Sequence, residues 1–288
     1  MADLVAAGGK RIRPALVLLA AKCGSYDLEK LSPAAIAVEL THAATLVHDD
    51  VIDRAQVRRG RPTVAAQLGD ERAIVVGDFY FAKAYEQAAL TESPEVVAIL
   101  ARAVMDICAG EVRQQAIRYR YDTSVDEYMR RIEAKTATLL AACCDIGAHL
   151  GGIDGAKRSA LRAYGRLLGL AFQIADDVLD YEGSQDEIGK PIGHDIAEGF
   201  VTLPLMLTME DSRIAGKLKR ILQSGRELRT AESQQVVDLV RESQGPQLAL
   251  ERASKLSSEA RLQLESLASS DAAGALAALT NYVVSRKL

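Results

Sequence analysis

The chain has 288 residues, 49% of them apolar and only 5% aromatic, with no Trp and 35 basic against 39 acidic side chains. A chain of this length buries a sizeable core, and its net charge of -4 argues against a nucleic-acid-binding face. The longest uncharged stretch, residues 272–285, falls short of the roughly 20 residues that cross a bilayer, and the apolar run at 4–7 is too brief for a secretory signal. Cys23, Cys108, Cys143 and Cys144 show neither metal-ligand spacing nor a disulfide framework, which fits a reducing cytosol.

Abundant Ala and Leu predict helix from end to end. In chain order, Gly8 to Pro14 sets Lys10, Arg11 and Arg13 just before a helix. Ser32-Pro33 reads as a cap followed by a proline in the first turn, opening the apolar run Ile36–Val47. Arg54–Gly69 reads as a loop carrying Arg58, Arg59 and Arg61. Ala73–Val76 alternates like a strand, but within helical surroundings. Ser93-Pro94 is a second cap, and Ser124 with Glu127 forms a capping box for a helix running towards Ala142, interrupted chemically by Lys135 and Thr136. After the apolar run Leu167–Ala175 comes a second loop, Glu182–Thr202, with four glycines, one proline and Lys190; loops of that size are usually functional or disordered. Beyond Asp211 the amphipathic pattern reads as scaffold. With no linker dividing the chain, antiparallel helices in one domain are the simplest architecture.

The informative feature is a duplication. Asp49-Asp50-Val51-Ile52-Asp53 is matched 127 positions further on by Asp176-Asp177-Val178-Leu179-Asp180, each closing an apolar helical run. Residues i and i+4 share a helix face, so Asp49 lies beside Asp53 and Asp176 beside Asp180. Like charges at that spacing cost a few tenths of a kcal/mol per pair, and the negative end of the helix dipole adds to the strain. A single acidic triplet is readily a solvated face; two near-identical ones, each after an apolar run, call for a ligand. Oxygen-only donors suit a hard cation, and magnesium typically takes one or two carboxylates plus substrate phosphates. Facing each other in a bundle, the two clusters would grip a diphosphate through several ions.

The basic residues agree with an anionic ligand. Lys10, Arg11 and Arg13 precede a helix, and Arg58-Arg59-Gly60-Arg61 follows the first acidic cluster; the guanidinium fork suits phosphate oxygens. His42 lies two helical turns before Asp49, and Gln173 three residues before Asp176, each placed on the face of its acidic cluster. Lys135, set in an apolar stretch, reads as a buried cation that needs an anionic partner.

In combination and in order, GGKRIRP, HDDVID, RRGRPT, AKT, FQIADDVLDY and TLP resemble the trans-isoprenyl diphosphate synthases of the polyprenyl synthetase family, from Gly8 to at least Pro204. The resemblance implies a single-domain, all-α antiparallel helical bundle around a deep central cavity, a homodimer, and Mg2+ dependence, with residues 1–288 as one polyprenyl synthetase domain whose N-terminal helix is missing or shortened. It implies that Asp49, Asp53, Asp176 and Asp180, with Asp50 and Asp177 supporting, hold magnesium against an allylic diphosphate. Lys10, Arg13, His42 and Arg59 match positions that bind isopentenyl diphosphate. Arg58, Lys135, Thr136 and Gln173 match those on the allylic substrate, with Lys135 counted among the catalytic group and Lys190 joining them.

Ala44 and Thr45, one turn before Asp49, leave room where shorter-product relatives carry an aromatic floor, so the resemblance implies a long-chain product; Phe79, Tyr80 and Phe81 are the residues able to block a growing chain. A departure stands at Phe200, where the family commonly has a lysine before the TLP stretch, which implies one diphosphate contact fewer. The alternatives are a short-chain synthase of farnesyl or geranylgeranyl length, a terpene cyclase, and a non-catalytic or regulatory subunit of the same fold. The aspartate triplet in the second motif disfavours the cyclase, and the retention of all six aspartates disfavours the inactive subunit.

Overall fold

The computed structural model describes residues 10–58, 60–183, 192–223, 225–267 and 270–285. Among the described residues the only strands are two short ones, and the rest of the regular structure is helical. No described helix is long and apolar enough to cross a membrane. The chain divides into two compact units, Met1–Met105 with Leu139–Gly165 and Arg261–Ala278, and Asp106–Thr138 with Arg166–Ala260 and Leu279–Leu288.

In the first unit, α1 (Ile12–Lys22) buries Leu16, Val17, Ala20 and Ala21, the one-turn spacing of a core stripe. Helix α2 (Leu28–Ile52) starts earlier than Ser32-Pro33 predicts. Asp27 is its cap, its carboxylate accepting from Glu29 N–H at 3.1 Å, while Ser32 Oγ donates back to the Leu28 carbonyl at 2.7 Å. Pro33 therefore lies inside the helix, where its fixed φ is helical and its missing N–H affects only the carbonyl of exposed Glu29 in the first turn.

The predicted loop after α2 is structured: β1 (Val57–Arg58) pairs antiparallel with β2 (Arg61–Pro62), and α3 (Val64–Leu68) follows under a Thr63 cap. Helix α4 (Asp70–Ala89) contains the strand-like 73–76, and α5 (Pro94–Ala116) begins at the proline that Ser93 announces. Small residues in α2 and α4 let these two helices lie close. Ala44, Val47, Ala73 and Tyr80 form a buried cluster, with Leu40, Val76 and Phe81 packed against it.

Helix α7 (Thr138–Leu150) meets α1 at Gly147, where a Cβ would stand 2.2 Å from the Val17 carbonyl oxygen. Gly147→Ala should therefore lower stability by about 1–3 kcal/mol through overpacking against backbone, more than the roughly 1 kcal/mol that alanine's helix propensity returns. A denaturant midpoint equal to or above wild type would show that α1 and α7 can part at no cost. All four cysteines are free, and burial pushes the Cys143 thiol up to about 12, so it behaves as a small apolar side chain.

In the second unit the helix predicted to run from Ser124 to Ala142 is interrupted. Ser124 Oγ accepts from Glu127 N–H at 3.2 Å and opens α6 (Val125–Ile132), but residues Glu133–Ala137 form a π-helical turn before α7 resumes. Thr138 Oγ1 donates to the Glu133 carbonyl at 3.0 Å and Arg166 grips the Glu133 carboxylate at 2.5 and 2.9 Å, which hold the inserted residue in place. Helix α8 (Gly155–Glu182) follows, then α9 (His194–Ala197) and α10 (Leu203–Thr208). Helices α11 (Ser212–Leu222), α12 (Thr230–Arg241) and α13 (Gly245–Leu262) supply Leu218, Leu222, Val236, Val237, Ala249 and Ala253 to a core built on Tyr128, Leu170, Ile174, Val178 and Tyr181. They pack into this core through the apolar faces that their amphipathic pattern predicts. Helix α14 (Asp271–Val284) closes the chain.

Candidate active site

The first acidic cluster ends α2. Asp49 and Asp50 occupy the last turn, which carries no basic residue, and Asp53 is the C-cap, its N–H donating to the Asp49 carbonyl at 2.8 Å. Arg54 takes a left-handed turn (φ 52°), and Ala55 N–H returns to the Asp50 carbonyl at 2.9 Å. The β1–β2 hairpin then folds Arg58 back, and its Nε meets Asp50 Oδ1 at 2.7 Å. The Asp50 side chain is 1% exposed, so the guanidinium compensates a buried carboxylate. Asp49 and Asp53 remain half-buried. Next to them His48 spans to α4, with Nε2 3.1 Å from the Ile74 carbonyl and 3.6 Å from Asp78 Oδ1.

Of the predicted cations, Lys10 is exposed ahead of α1, Arg13 is half-buried in its first turn, and His42 is half-buried on α2. Arg11 pairs with Glu39 of α2. Arg59 and Lys190 lie outside the described residues, as does much of the Glu182–Thr202 loop.

The second cluster lies in the last two turns of α8. Asp176 is half-buried; Asp177 and Asp180 are buried. Asp177 accepts from Tyr128 Oη at 2.7 Å and from Gln173 Nε2 at 2.8 Å, and Gln173 Oε1 accepts from Thr136 Oγ1 at 2.6 Å. The π-helical turn presents Thr136 to this chain of bonds, and a glycine brings α8 against that turn: a Cβ on Gly169 would stand 2.5 Å from Ala137 Cα.

Asp180 does different work from its counterpart Asp53. Its Oδ1 accepts from His194 N–H and its Oδ2 from Asp195 N–H, both at 3.1 Å, so its carboxylate caps α9. Burial, and then the charge of Asp195, pushes both Asp177 and Asp180 well above the usual carboxylate range; hydrogen bonds from Gln173 and from the α9 amides pull the other way. Buried acids in this state gain from any cation that reaches them.

Gln173 is thus brought to Asp177, as its spacing predicts, and Thr136, placed at the site only by the resemblance, joins them through Gln173. Lys135 is not buried. Its side chain is 38% exposed, and Nζ lies 3.6 Å from Glu111 Oε2 of α5. The π-helical turn explains the difference, because one inserted residue rotates Lys135 off the apolar face that a regular helix would give it. Tyr128, Arg131 and Asp195 escaped the sequence reading. Tyr128 and Asp177 are 49 residues apart in sequence, and no local pattern announces their bond.

Among the described residues one Ser–His contact exists, between Ser93 Oγ and His149 Nε2 at 2.9 Å, but it is not a nucleophile and base. His149 Nδ1 faces Arg158 Nη1 at 3.4 Å, and a guanidinium only donates. Nδ1 is therefore the acceptor and Nε2 carries the proton, the wrong tautomer for activating serine.

Comparison with known proteins identifies the family. Residues 1–240 match the polyprenyl synthetase family. The chain is 38% identical over 283 residues to heptaprenyl diphosphate synthase component 2 of Geobacillus stearothermophilus, covering 98% of this chain and 88% of that protein. It is 37% identical over 291 residues to a short chain isoprenyl diphosphate synthase of Methanothermobacter thermautotrophicus, covering 99% of this chain and 88% of that one. A crystal structure of polyprenyl synthase from Caulobacter crescentus, complexed with calcium and isoprenyl diphosphate, superposes with a TM-score of 0.92 at 39% identity, covering 99% and 89% of the two chains. Two aspartate clusters on helices, a polar chain supporting one of them and relatives of this similarity along nearly the whole length lead to one conclusion: the chain belongs to the polyprenyl synthetase family and is a trans-isoprenyl diphosphate synthase with the all-α isoprenoid synthase fold.

Proposed function

We propose that residues 1–288 act as one catalytic domain that condenses isopentenyl diphosphate with an allylic prenyl diphosphate to an all-trans, long-chain polyprenyl diphosphate, with Mg2+ as cofactor. The observation that carries the reading is the repeated pattern in which the first aspartate of each cluster is half-buried while the second is buried and held by the protein, Asp50 by Arg58 and Asp177 by Tyr128 and Gln173.

The donor set fits magnesium. Every candidate ligand is a carboxylate oxygen, and the buried acids Asp177 and Asp180 bear a desolvation penalty that a divalent cation relieves. Among the described residues, no three His, Cys, Asp or Glu side chains are gathered into a metal cage. Magnesium asks for less, one or two carboxylates completed by phosphate oxygens and water. Asp49, Asp53, Asp176 and Asp180 would hold it, with Asp50 and Asp177 supporting. When bound, it supplies Lewis-acid stabilisation of the leaving diphosphate.

The chain's own groups do the rest. Lys10, Arg13, His42 and Arg59 orient the isopentenyl diphosphate; Arg58, Lys135, Thr136, Gln173 and Lys190 attend the allylic one. The allylic C–O bond breaks with its electron pair leaving on diphosphate. The isopentenyl double bond attacks the carbocation, a C–C bond forms, and the adduct cation gives a proton to the released diphosphate, leaving a new double bond. Apolar walls exclude water from the cation.

Product length is set where α4 meets α2. Tyr80, 5% exposed, and Ala44 belong to the same buried cluster, so a change of side-chain size at either alters the space between α2 and α4. Tyr80→Ala is expected to shift the products to longer chains and Ala44→Phe to shorter ones, read by reversed-phase chromatography of the dephosphorylated alcohols. An unchanged distribution in both variants would remove this cluster from length control.

The test of the whole reading is incubation of purified protein with labelled isopentenyl diphosphate, farnesyl diphosphate and Mg2+. Chain elongation is expected, and well-folded protein that yields none would refute it. A second reading arises from the relative called component 2, a name that points to a partner chain for that protein. Activity of the purified chain alone, as the expected homodimer, separates self-sufficiency from dependence on a second polypeptide.

A further inference from the structure

Phe200 stands where the family's lysine would place a cation, and its surroundings say what it does instead. The side chain is 8% exposed. The guanidinium of Arg118 lies 5.9 Å from its ring centroid and that of Arg131 lies 5.7 Å away. Arg118 stacks also on Tyr119 at 5.2 Å, and Arg131 on Tyr128 at 5.4 Å. A lysine at 200 would press a third positive charge against these two, whereas an aromatic face attracts both.

The same two arginines hold the neighbouring backbone. Arg118 Nε donates to the Glu198 carbonyl at 2.7 Å and its Nη2 pairs with the Glu198 carboxylate; Arg131 Nη2 donates to the Val201 carbonyl at 2.8 Å. Tyr119 N–H donates to the Gly199 carbonyl at 2.9 Å, and Phe200 N–H to the Asp195 carbonyl at 2.8 Å. The segment from Asp195 to Val201 is thus pinned to the turn after α5 and to α6, and Asp195, with His194 just before it, supplies the amides that bind the Asp180 carboxylate.

We propose that Phe200 is a positioning residue: by stacking with Arg118 and Arg131 it locks α9 in place and so fixes the orientation of the Asp180 carboxylate. The lysine's place is taken by a clamp that acts on the protein's own acid. This deepens the proposed function and rests on Asp180 being a metal ligand only for its catalytic consequence.

Phe200→Leu keeps an apolar side chain but removes the π face, and Phe200→Tyr keeps the face. Hydrogen exchange at the His194 and Asp195 amides reads the clamp without any metal. Exchange should quicken by about tenfold in Phe200→Leu and in Arg131→Gln, which removes a cation and leaves the ring, and should stay near wild type in Phe200→Tyr. Calorimetric Mg2+ uptake in the presence of inorganic pyrophosphate should weaken by about three- to tenfold in the first two variants and be retained in the third. Unaltered exchange in Phe200→Leu and Arg131→Gln, or equal loss in Leu and Tyr variants, overturns the clamp. Failure of the wild-type protein to take up Mg2+ would count against the metal reading, while the exchange result would still decide the role of Phe200.

Discussion

Asp176→Ala is expected to reduce turnover by about a thousandfold or more while leaving the melting temperature within a few degrees of wild type. Asp176 is half-buried at the end of α8, so truncation removes an acidic oxygen donor without opening the core. Asp49→Ala at the end of α2 should behave alike. Removal of either carboxylate also relieves like-charge repulsion along its helix, worth a few tenths of a kcal/mol, so a slight gain in stability would agree. The contrast is Asp177→Ala. It leaves the buried hydroxyl of Tyr128 and the amide of Gln173 without their shared acceptor, at a cost of about 1–3 kcal/mol for each group left unsatisfied. Steady-state kinetics beside thermal unfolding tells the two apart. If Asp176→Ala collapses the fold, the first aspartates are structural, and the assignment of roles within each cluster is wrong.

The second large effect concerns stability. Arg58→Ala should destabilise the protein by about 2–4 kcal/mol, because it withdraws the guanidinium bonded to a carboxylate that is only 1% exposed. Arg58→Lys should recover part of the loss, since it restores a charge without the directed Nε bond. Asp50→Asn with Arg58→Ala should cost less than the sum of the two single changes, because the buried charge leaves with its partner. Urea unfolding of the four proteins measures this, and strict additivity would mean that the two side chains do not depend on one another. The resemblance assigns Arg58 to the allylic diphosphate; the structure adds that it neutralises the second aspartate of the cluster, so its removal is expected to affect Tm as well as substrate KM.

Much of the helical framework is legible in local sequence. Ser93-Pro94 begins α5, Ser124 caps α6, and the apolar runs ending at Asp49 and Asp176 are helical. The misreadings come from competition between signals of the same kind. Ser32-Pro33 carries the motif of a helix start, but Asp27 caps the helix earlier, and proline is tolerated one turn in. The π-helical turn at 133–137 leaves no mark in hydrophobic period, and without it Lys135 is assigned to the wrong face.

The family was legible in the chain itself, in two aspartate triplets in helical phase with cations near them in sequence. Those properties depend on residue type and on spacing along one element, which a sequence states directly. Tertiary structure decided which acids are buried and what holds each of them. Asp50 answers to Arg58 from a returning hairpin, Asp177 to Tyr128 from another helix, and Asp180 to the amides of α9. The desolvation and hydrogen bonds that distinguish six like residues come from partners brought close only by folding, and identical side chains take on different work because their surroundings differ.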